Sequence, residues 1–307
     1  MSASGSKKAI IAAFLANLGI AIAKFVGFLI TGASSMLSEA IHSVADTGNQ
    51  GLLLLGGRRS EKAADVEHPF GYGRERYFWS FVVAVVLFTL GSLFAIYEGI
   101  HKIQHPEDLN SPAVAIGILG VAFVLESFSL RTAVYESRPL KGDATWWEFL
   151  RTAKVPEFPV VLLEDAGALI GLVVALTAVI LNVVTGNSVY DGIGSVLIGG
   201  ILGVIAVFLC IEMKSLLIGE SASDADRAAI DDAIVGVPGV IRVIHSRTQH
   251  LGPEEILLAA KVEFDPGMDV ARLADAIDRV EAAVRGRVSG VGLIYIEPDL
   301  YRSEPVA

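Results

Sequence analysis

Six runs of about 20 apolar residues, at 9–31, 35–56, 78–100, 112–135, 160–183 and 191–213, constrain this 307-residue chain more than any other feature. Hydrocarbon offers no water to backbone N–H and C=O groups, so each run that enters it must satisfy its own backbone as a helix. With 53% hydrophobic and 19% charged residues and a mean hydropathy of +0.58, the apolar content is too high and too segmented for one soluble core. The first run is long, lacks a small-residue cleavage site and is followed at once by the second, so it reads as a membrane helix rather than a signal peptide. Cys210 stands alone in the sixth run, which excludes a disulfide framework and a cysteine-based metal site.

Lysines and arginines divide unevenly between the connections. Lys7 and Lys8 precede the first run; Arg58, Arg59, Lys62, Arg74 and Arg76 follow the second; Arg138, Lys141, Arg151 and Lys154 follow the fourth. The alternate connections hold only Lys102, so both termini are expected in the cytoplasm. The net charge of −10 is concentrated after Glu220, and no nucleic-acid partner is expected. A bacterial inner membrane is the expected setting, since no organellar presequence is visible.

After Met213 the composition turns polar. Residues 222–234 read as an amphipathic helix ended by VPGV, 241–249 and 255–264 as strands joined by HLGPE, 270–284 as a helix and 291–296 as a third strand. The expected fold is an all-α polytopic membrane domain of six transmembrane helices over 1–215. A small αββαβ domain of the α+β class, ferredoxin-like or metallochaperone-like, is expected over 216–307.

Within the second run, SSMLSEAIHSVADTGNQGLLLLG, His42 and Asp46 lie one helical turn apart, with Asn49 one turn further along the same stripe. The fifth run carries Glu164 and Asp165 near one end. Ionisable side chains at membrane depth are costly and usually mark a pathway. Imidazole nitrogen with carboxylate oxygen suits Zn²⁺, and an oxygen-richer set also suits Mn²⁺, Fe²⁺ or Co²⁺. Proton and metal would compete for the same carboxylates, which is a physical basis for exchanging one for the other across a membrane. A structural hydrogen-bonded pair is the plainer alternative for His42 and Asp46. Lys24 and Glu126 are also intramembrane ions, explained as well by an internal salt bridge or snorkelling, and stay outside the site. Asp191 begins the sixth run, where it is placed to cap a helix N-terminus. Gly27, Gly32, Gly167 and Gly171 are expected to allow close helix approach.

Taken together, the six runs, the HxxxD pair, the acidic site in the fifth run, the connection DVEHPFGYGRERYFWS and the αββαβ tail resemble the cation diffusion facilitator family, zinc-transporter type. The resemblance covers essentially the whole chain. It implies a homodimeric, proton-coupled antiporter that exports Zn²⁺ or a similar cation, with H⁺ as counter-ion, no resident cofactor, and a tail that contributes to dimerisation. Carried over, the transport site falls on His42, Asp46 and Asp165. The family's fourth ligand, commonly a histidine four residues before the aspartate, falls on Val161, so Glu164 or Asn49 would supply it. Asp65 and His68 match a peripheral loop site whose second histidine is replaced by Tyr72. His245 matches a tail ligand, but Lys261 and IYIEPD hold no histidine beside it, and His250 reads as a solvated turn residue. An intramembrane metal-dependent enzyme, a passive channel and a membrane scaffold are the alternatives. The enzyme lacks any motif for a nucleophile or phosphate-binding loop.

Overall fold

The computed structural model describes residues 3–106, 109 and 111–302, with side chains from residue 17. The side chains of Lys7 and Lys8 thus lie outside the described residues. Two compact units form: one from the residues up to Arg58 with Tyr77–Lys214, the other from Arg59–Arg76 with the chain from Ser215 onward.

The first unit is helical. Its elements are α1 (Ala3–Thr31), α2 (Ser34–Ser60), α3 (Glu75–Val86), a π-helical stretch (Leu87–Leu93) continuous with α4 (Phe94–Gln104), α5 (Pro112–Lys141), the short α6 (Trp146–Thr152), α7 (Glu157–Thr185) and α8 (Val189–Ile218). Among the described residues, four helices are long and apolar enough to cross a membrane: Glu75–Gln104, Pro112–Lys141, Glu157–Thr185 and Val189–Ile218. Four of the six expected spans meet that standard among the described residues. The side chains described in α1 give only a shorter apolar stretch, Asn17–Thr31.

The other shortfall, α2, has a physical cause. Its 27 residues would reach about 40 Å, but its composition is diluted by polar groups turned inward. Ser34, Ser35, Ser38, Glu39, His42, Ser43, Thr47 and Asn49 are buried, while Val44 and Leu54 face outward. An inside-out helix of this kind suits a hydrocarbon surround that covers the apolar side.

Glycines set the closest approaches. A Cβ on Gly99 of α4 would come 2.6 Å from the Gly192 carbonyl oxygen of α8, and one on Gly192 would come 2.8 Å from that of Gly99. Of the glycines expected to aid packing, Gly27, Gly167 and Gly171 meet side chains of other helices. Gly32 is different: with φ +68° and open space around its Cβ position, it ends α1 in a left-handed turn, its N–H donating to the Phe28 carbonyl at 2.7 Å.

The second unit holds α9 (Asp224–Val235), β1 (Val240–Gly252), β2 (Glu255–Phe264), α10 (Val270–Arg287) and β3 (Val291–Pro298). Ser223 and Asp269 cap the two helices, accepting from the N–H of Asp226 at 3.0 Å and of Arg272 at 2.8 Å. The sheet order is β1-β2-β3, antiparallel between β1 and β2 and parallel between β2 and β3. Ile256, Leu258, Ala260, Val262 and Phe264 alternate inward along β2 and meet Ile230, Ile234, Ala276, Val280 and Val284 of the helices. The helix and strand order is the expected one, but β1 is longer and absorbs most of the HLGPE turn. His250 is consequently not a solvated turn residue. It is buried within β1, where its N–H donates to the Glu220 carbonyl at 2.8 Å and its Nδ1 lies 3.3 Å from the Gly252 carbonyl.

If the contact between α4 and α8 is as close as these positions require, Gly99→Val should force the helices apart and destabilise the helical unit by about 1–3 kcal/mol or more. Thermal unfolding in detergent, followed by tryptophan emission, checks this; Gly200→Ala, which meets nothing within 4 Å, should leave the midpoint unlowered.

Candidate cation site

Four side chains stand on the inward stripe of α2: Glu39, His42, Asp46 and Asn49, spaced three or four residues apart. His42 is fully buried, and its Nδ1 lies 3.5 Å from Asp46 Oδ1. Neither ring nitrogen has a hydrogen-bond partner, nor does Asp46 Oδ1 or Asn49 Oδ1. Buried polar atoms of this kind cost about 1–3 kcal/mol each when left unsatisfied, and several of them lie on this one stripe.

Opposite them, the two neighbouring acids of α7 separate. The Asn49 amide donates to Glu164 Oε1 at 2.6 Å, so Glu164 faces α2. Asp165, about 100° further round the helix, turns to α5 and accepts from the Ser129 hydroxyl at 2.9 Å. Asp46 lies within electrostatic reach of both, and of Glu126 and Lys24. Thus the structure brings His42 beside Asp46 and Asn49 beside Glu164, while Asp165 stands to one side. Among the described residues no three acidic, histidine or cysteine side chains converge tightly enough to hold a metal ion. Val161, at the position of the missing histidine, packs in the apolar cluster of Ala133, Phe149 and Leu162.

The charged partner of Lys24, Glu39, was not singled out in the sequence. The Lys24 ammonium of α1 lies 3.1 Å from Glu39 Oε2 and donates to the Ser43 hydroxyl at 2.8 Å, with both charged side chains fully buried. Of the two readings for Lys24, the internal salt bridge is therefore the one found. Glu39 could have been found as the residue one turn before His42 on the same stripe. Asp191 does cap a helix N-terminus, but not that of its own α8. It accepts from the Ser34 N–H at 2.6 Å, the Ser35 N–H at 3.2 Å and the Ser35 hydroxyl, all at the start of α2. Ser34 also donates to Glu98 Oε1 at 3.0 Å, and the Lys102 ammonium to the Gly32 carbonyl at 3.3 Å.

In the loop, Asp65 accepts from the Lys62 ammonium at 2.7 Å, the Tyr72 hydroxyl at 2.8 Å and the His68 N–H at 2.8 Å. The Lys62 and Tyr72 hydrogen bonds, then that of His68, hold the Asp65 carboxyl well below the usual carboxylate range, and Asp65 and Tyr72 push Lys62 up. His68 Nδ1 is 3.7 Å from Asp65 Oδ1, with its ring against Tyr72. In the tail, His245 is exposed on β1 opposite Lys261, whose ammonium is engaged by Asp299 at 3.0 Å and Glu297 at 3.1 Å.

Apolar helices around a buried polar stripe, with a separate α+β unit, make a helical membrane protein with an appended α+β domain. Residues 10–218 match the cation efflux transmembrane domain and residues 222–299 the cytoplasmic domain of cation efflux proteins. The chain belongs to this family, the cation diffusion facilitators, whose members are transporters of metal cations and not enzymes. It is 36% identical over 246 residues to the proton-coupled zinc antiporter SLC30A9, mitochondrial, of Mus musculus, covering 79% of this chain and 43% of that protein. With metal tolerance protein C4 of Arabidopsis thaliana it shares 30% identity over 282 residues, 91% of this chain and 61% of that one. With magnetosome protein MamM of Magnetospirillum gryphiswaldense it shares 25% over 291 residues, 90% and 82%. A solved variant of the MamM CTD is 27% identical with a TM-score of 0.25, covering 26% of this chain and 100% of that one. The chain spans less than half the length of the mouse relative.

Because the Asp65 carboxyl is held below its ordinary range, the ordering it gives the loop is present above the usual aspartate value near 3.9, and is lost only as pH falls through the lower, folded value. Hydrogen exchange over residues 62–72 should therefore show the same protection at pH 5 as at pH 7, once corrected for the intrinsic exchange rate. Asp65→Asn should lose that protection at both.

Proposed function

We propose that this cation efflux protein exchanges a divalent cation, Zn²⁺ foremost, for protons across its membrane, with the cargo held between α2 and α7. The observation that carries this reading is the pair His42 and Asp46. His42 is buried and Asp46 half-buried on an inside-out helix, both keep unsatisfied atoms, and Asp46 lies within electrostatic reach of Glu164 and Asp165. His42 would supply a nitrogen, Asp46 and Glu164 carboxylate oxygens, and Asn49 an amide oxygen once its NH₂ is engaged by Glu164. Asp165 would join when α5 and α7 shift enough to release Ser129. One nitrogen and several oxygens suit Zn²⁺ but leave Mn²⁺, Fe²⁺ and Co²⁺ as competitors.

Proton coupling follows from the same groups. A carboxylate that has taken a proton cannot also hold the dication, so protons arriving from one side would release cargo bound from the other. The name of the mouse relative, a proton-coupled zinc antiporter, supports this reading. We place both termini in the cytoplasm with six membrane helices, on the distribution of Arg58, Arg59, Lys62, Arg138, Lys141 and Arg151 against Lys102. The polarity of α2 is no obstacle to spanning, because its polar side is covered by the bundle. The match of residues 222–299 to the cytoplasmic domain of cation efflux proteins supports a homodimer joined through the tail. In that tail Lys261 already neutralises Glu297 and Asp299, so we propose a structural role there rather than metal sensing by His245. The loop pair Asp65 and His68 is likewise proposed as a structural knot, since the Lys62 ammonium occupies the cation position on Asp65.

Flux into proteoliposomes, with Zn²⁺, Mn²⁺, Fe²⁺ and Co²⁺ compared under an imposed pH gradient, tests the proposal. Gradient-driven Zn²⁺ uptake is expected, abolished by Asp46→Ala in protein that remains folded. His42→Asp should shift preference from Zn²⁺ toward Mn²⁺ by roughly tenfold or more, as nitrogen is exchanged for oxygen. Normal uptake by Asp46→Ala would overturn the site, and uptake indifferent to the gradient would overturn the exchange.

A further inference from the structure

The Lys24–Glu39 pair has a feature that a purely structural salt bridge would not need. Glu39 spends one oxygen on Lys24, while the other, Oε1, is buried without a hydrogen-bond partner. That oxygen is lodged against Gly171 of α7, where a Cβ would collide with it. A buried carboxylate oxygen normally finds a donor, and here the facing helix supplies only a bare backbone notch. Glu39 also continues the stripe of His42, Asp46 and Asn49 by one turn toward Ser34, about 5 Å along the helix. His42 stands between the two acids. Its Nδ1 faces Asp46 at 3.5 Å, and its second nitrogen is unpartnered.

We propose that Glu39 is a second binding position for a divalent cation, on the path between the His42–Asp46 site and the Ser34 end of α2, and that the Lys24 ammonium is a tethered stand-in cation that keeps this position filled until cargo arrives. This rests on His42 and Asp46 being the cargo site. Lys24 demonstrates that the position accepts a cation at bonding distance. It also has somewhere to go. Glu126 of α5 lies within its electrostatic reach, and a cavity of about 600 Å³ between α1 and α5, lined by Gly19, Ala23, Lys24, Gly117 and Ala122, leaves its stem room to turn. A dication held by the Glu39 carboxylate would replace the ammonium, and Lys24 would pair with Glu126 instead. The ammonium that leaves would still face a carboxylate, and the dication brings one positive charge more than it displaces at Glu39.

Equilibrium dialysis of the full chain in nanodiscs against Zn²⁺, with bound metal counted by atomic emission, tests this. The intact chain should bind one Zn²⁺ at the His42–Asp46 site. Lys24→Met should bind one more, and Lys24→Met with Glu39→Gln should return to the original count. Asp46→Ala should bind none, whereas Asp46→Ala with Lys24→Met should retain the one that depends on Glu39. If Lys24→Met adds no metal in folded protein, the second position is overturned and the pair is structural. If Asp46→Ala leaves the count of the intact chain unchanged, the cargo-site reading fails instead. Should Lys24→Met not fold, Gly171→Ala keeps both charges and displaces only Glu39 from its notch. Transport should then lose roughly tenfold in maximal rate with KM within about twofold of the intact chain. An unchanged maximal rate would overturn the proposal.

Discussion

A polar stripe enclosed within an otherwise apolar helical bundle is the constraint on which the rest depends. α2 cannot show Glu39, His42, Asp46 and Asn49 to hydrocarbon, so the other helices must be arranged to cover them. Covering them brings α1 and α7 against that side: Lys24 arrives to neutralise Glu39, and Glu164 arrives to accept from Asn49. Removing one partner of a buried ion pair typically costs about 3–5 kcal/mol, far more than a surface pair, so Lys24 and Glu39 fix α1 on α2 with little latitude. The atoms left unsatisfied on the stripe after this pairing are Glu39 Oε1, both ring nitrogens of His42, Asp46 Oδ1 and Asn49 Oδ1.

The stripe is useful only if its height is fixed, and Asp191 does that. A helix N-terminus presents free N–H groups and the positive end of the dipole, both unfavourable when buried without an acceptor. Two of those N–H groups and the Ser35 hydroxyl reach one carboxylate borrowed from α8, so α2 starts where α8 dictates. Because α8 is in turn pressed onto α4 at Gly99 and Gly192, the start of α2 is referenced to that pair of helices. Its remaining length is referenced to α1 and α7. A helix held at its end by one group of neighbours and along its side by another is placed to respond when the groups move apart.

What could be read from the sequence follows from the range of the interactions involved. Apolar run length and two-residue alternation are local, so the long helices and the αββαβ order were legible. The HxxxD stripe and the acids at 164 and 165 were legible too, because helical spacing puts His42, Asp46 and Asn49 on one face. Which of Glu164 and Asp165 faces α2 was not, since that depends on the rotation of α7 against two neighbours. The cap from Asp191 to Ser34 joins residues 157 apart, and only assembly decides whose N-terminus it serves. The burial of His250 was missed for a subtler reason: Gly252 and Pro253 look like a turn, yet β1 runs on to Gly252 and pairs with Glu255. The loop at 59–76 reads as a connection between spans, but it folds with the tail unit, where Gly73 approaches the Leu251 carbonyl too closely for a side chain.

Val161 gives the last step. A histidine there would have put a second nitrogen on α7; instead the position is spent on apolar contact with the cluster of Ala133, Phe149 and Leu162. α7 carries two adjacent acids, with Glu164 facing α2 and Asp165 facing α5. Two acids pointing to different neighbours cannot both ligate one ion without a rotation of α7, whereas a His–Asp pair four residues apart shares one face. On the proposed reading, then, the ligand set is divided between two helix faces, and completing it would require relative movement of α7. Cation binding and helix movement would in that sense be one event: the Asn49 bond to Glu164 holds that acid towards α2, and the Ser129 bond to Asp165 is the one a cation would have to replace.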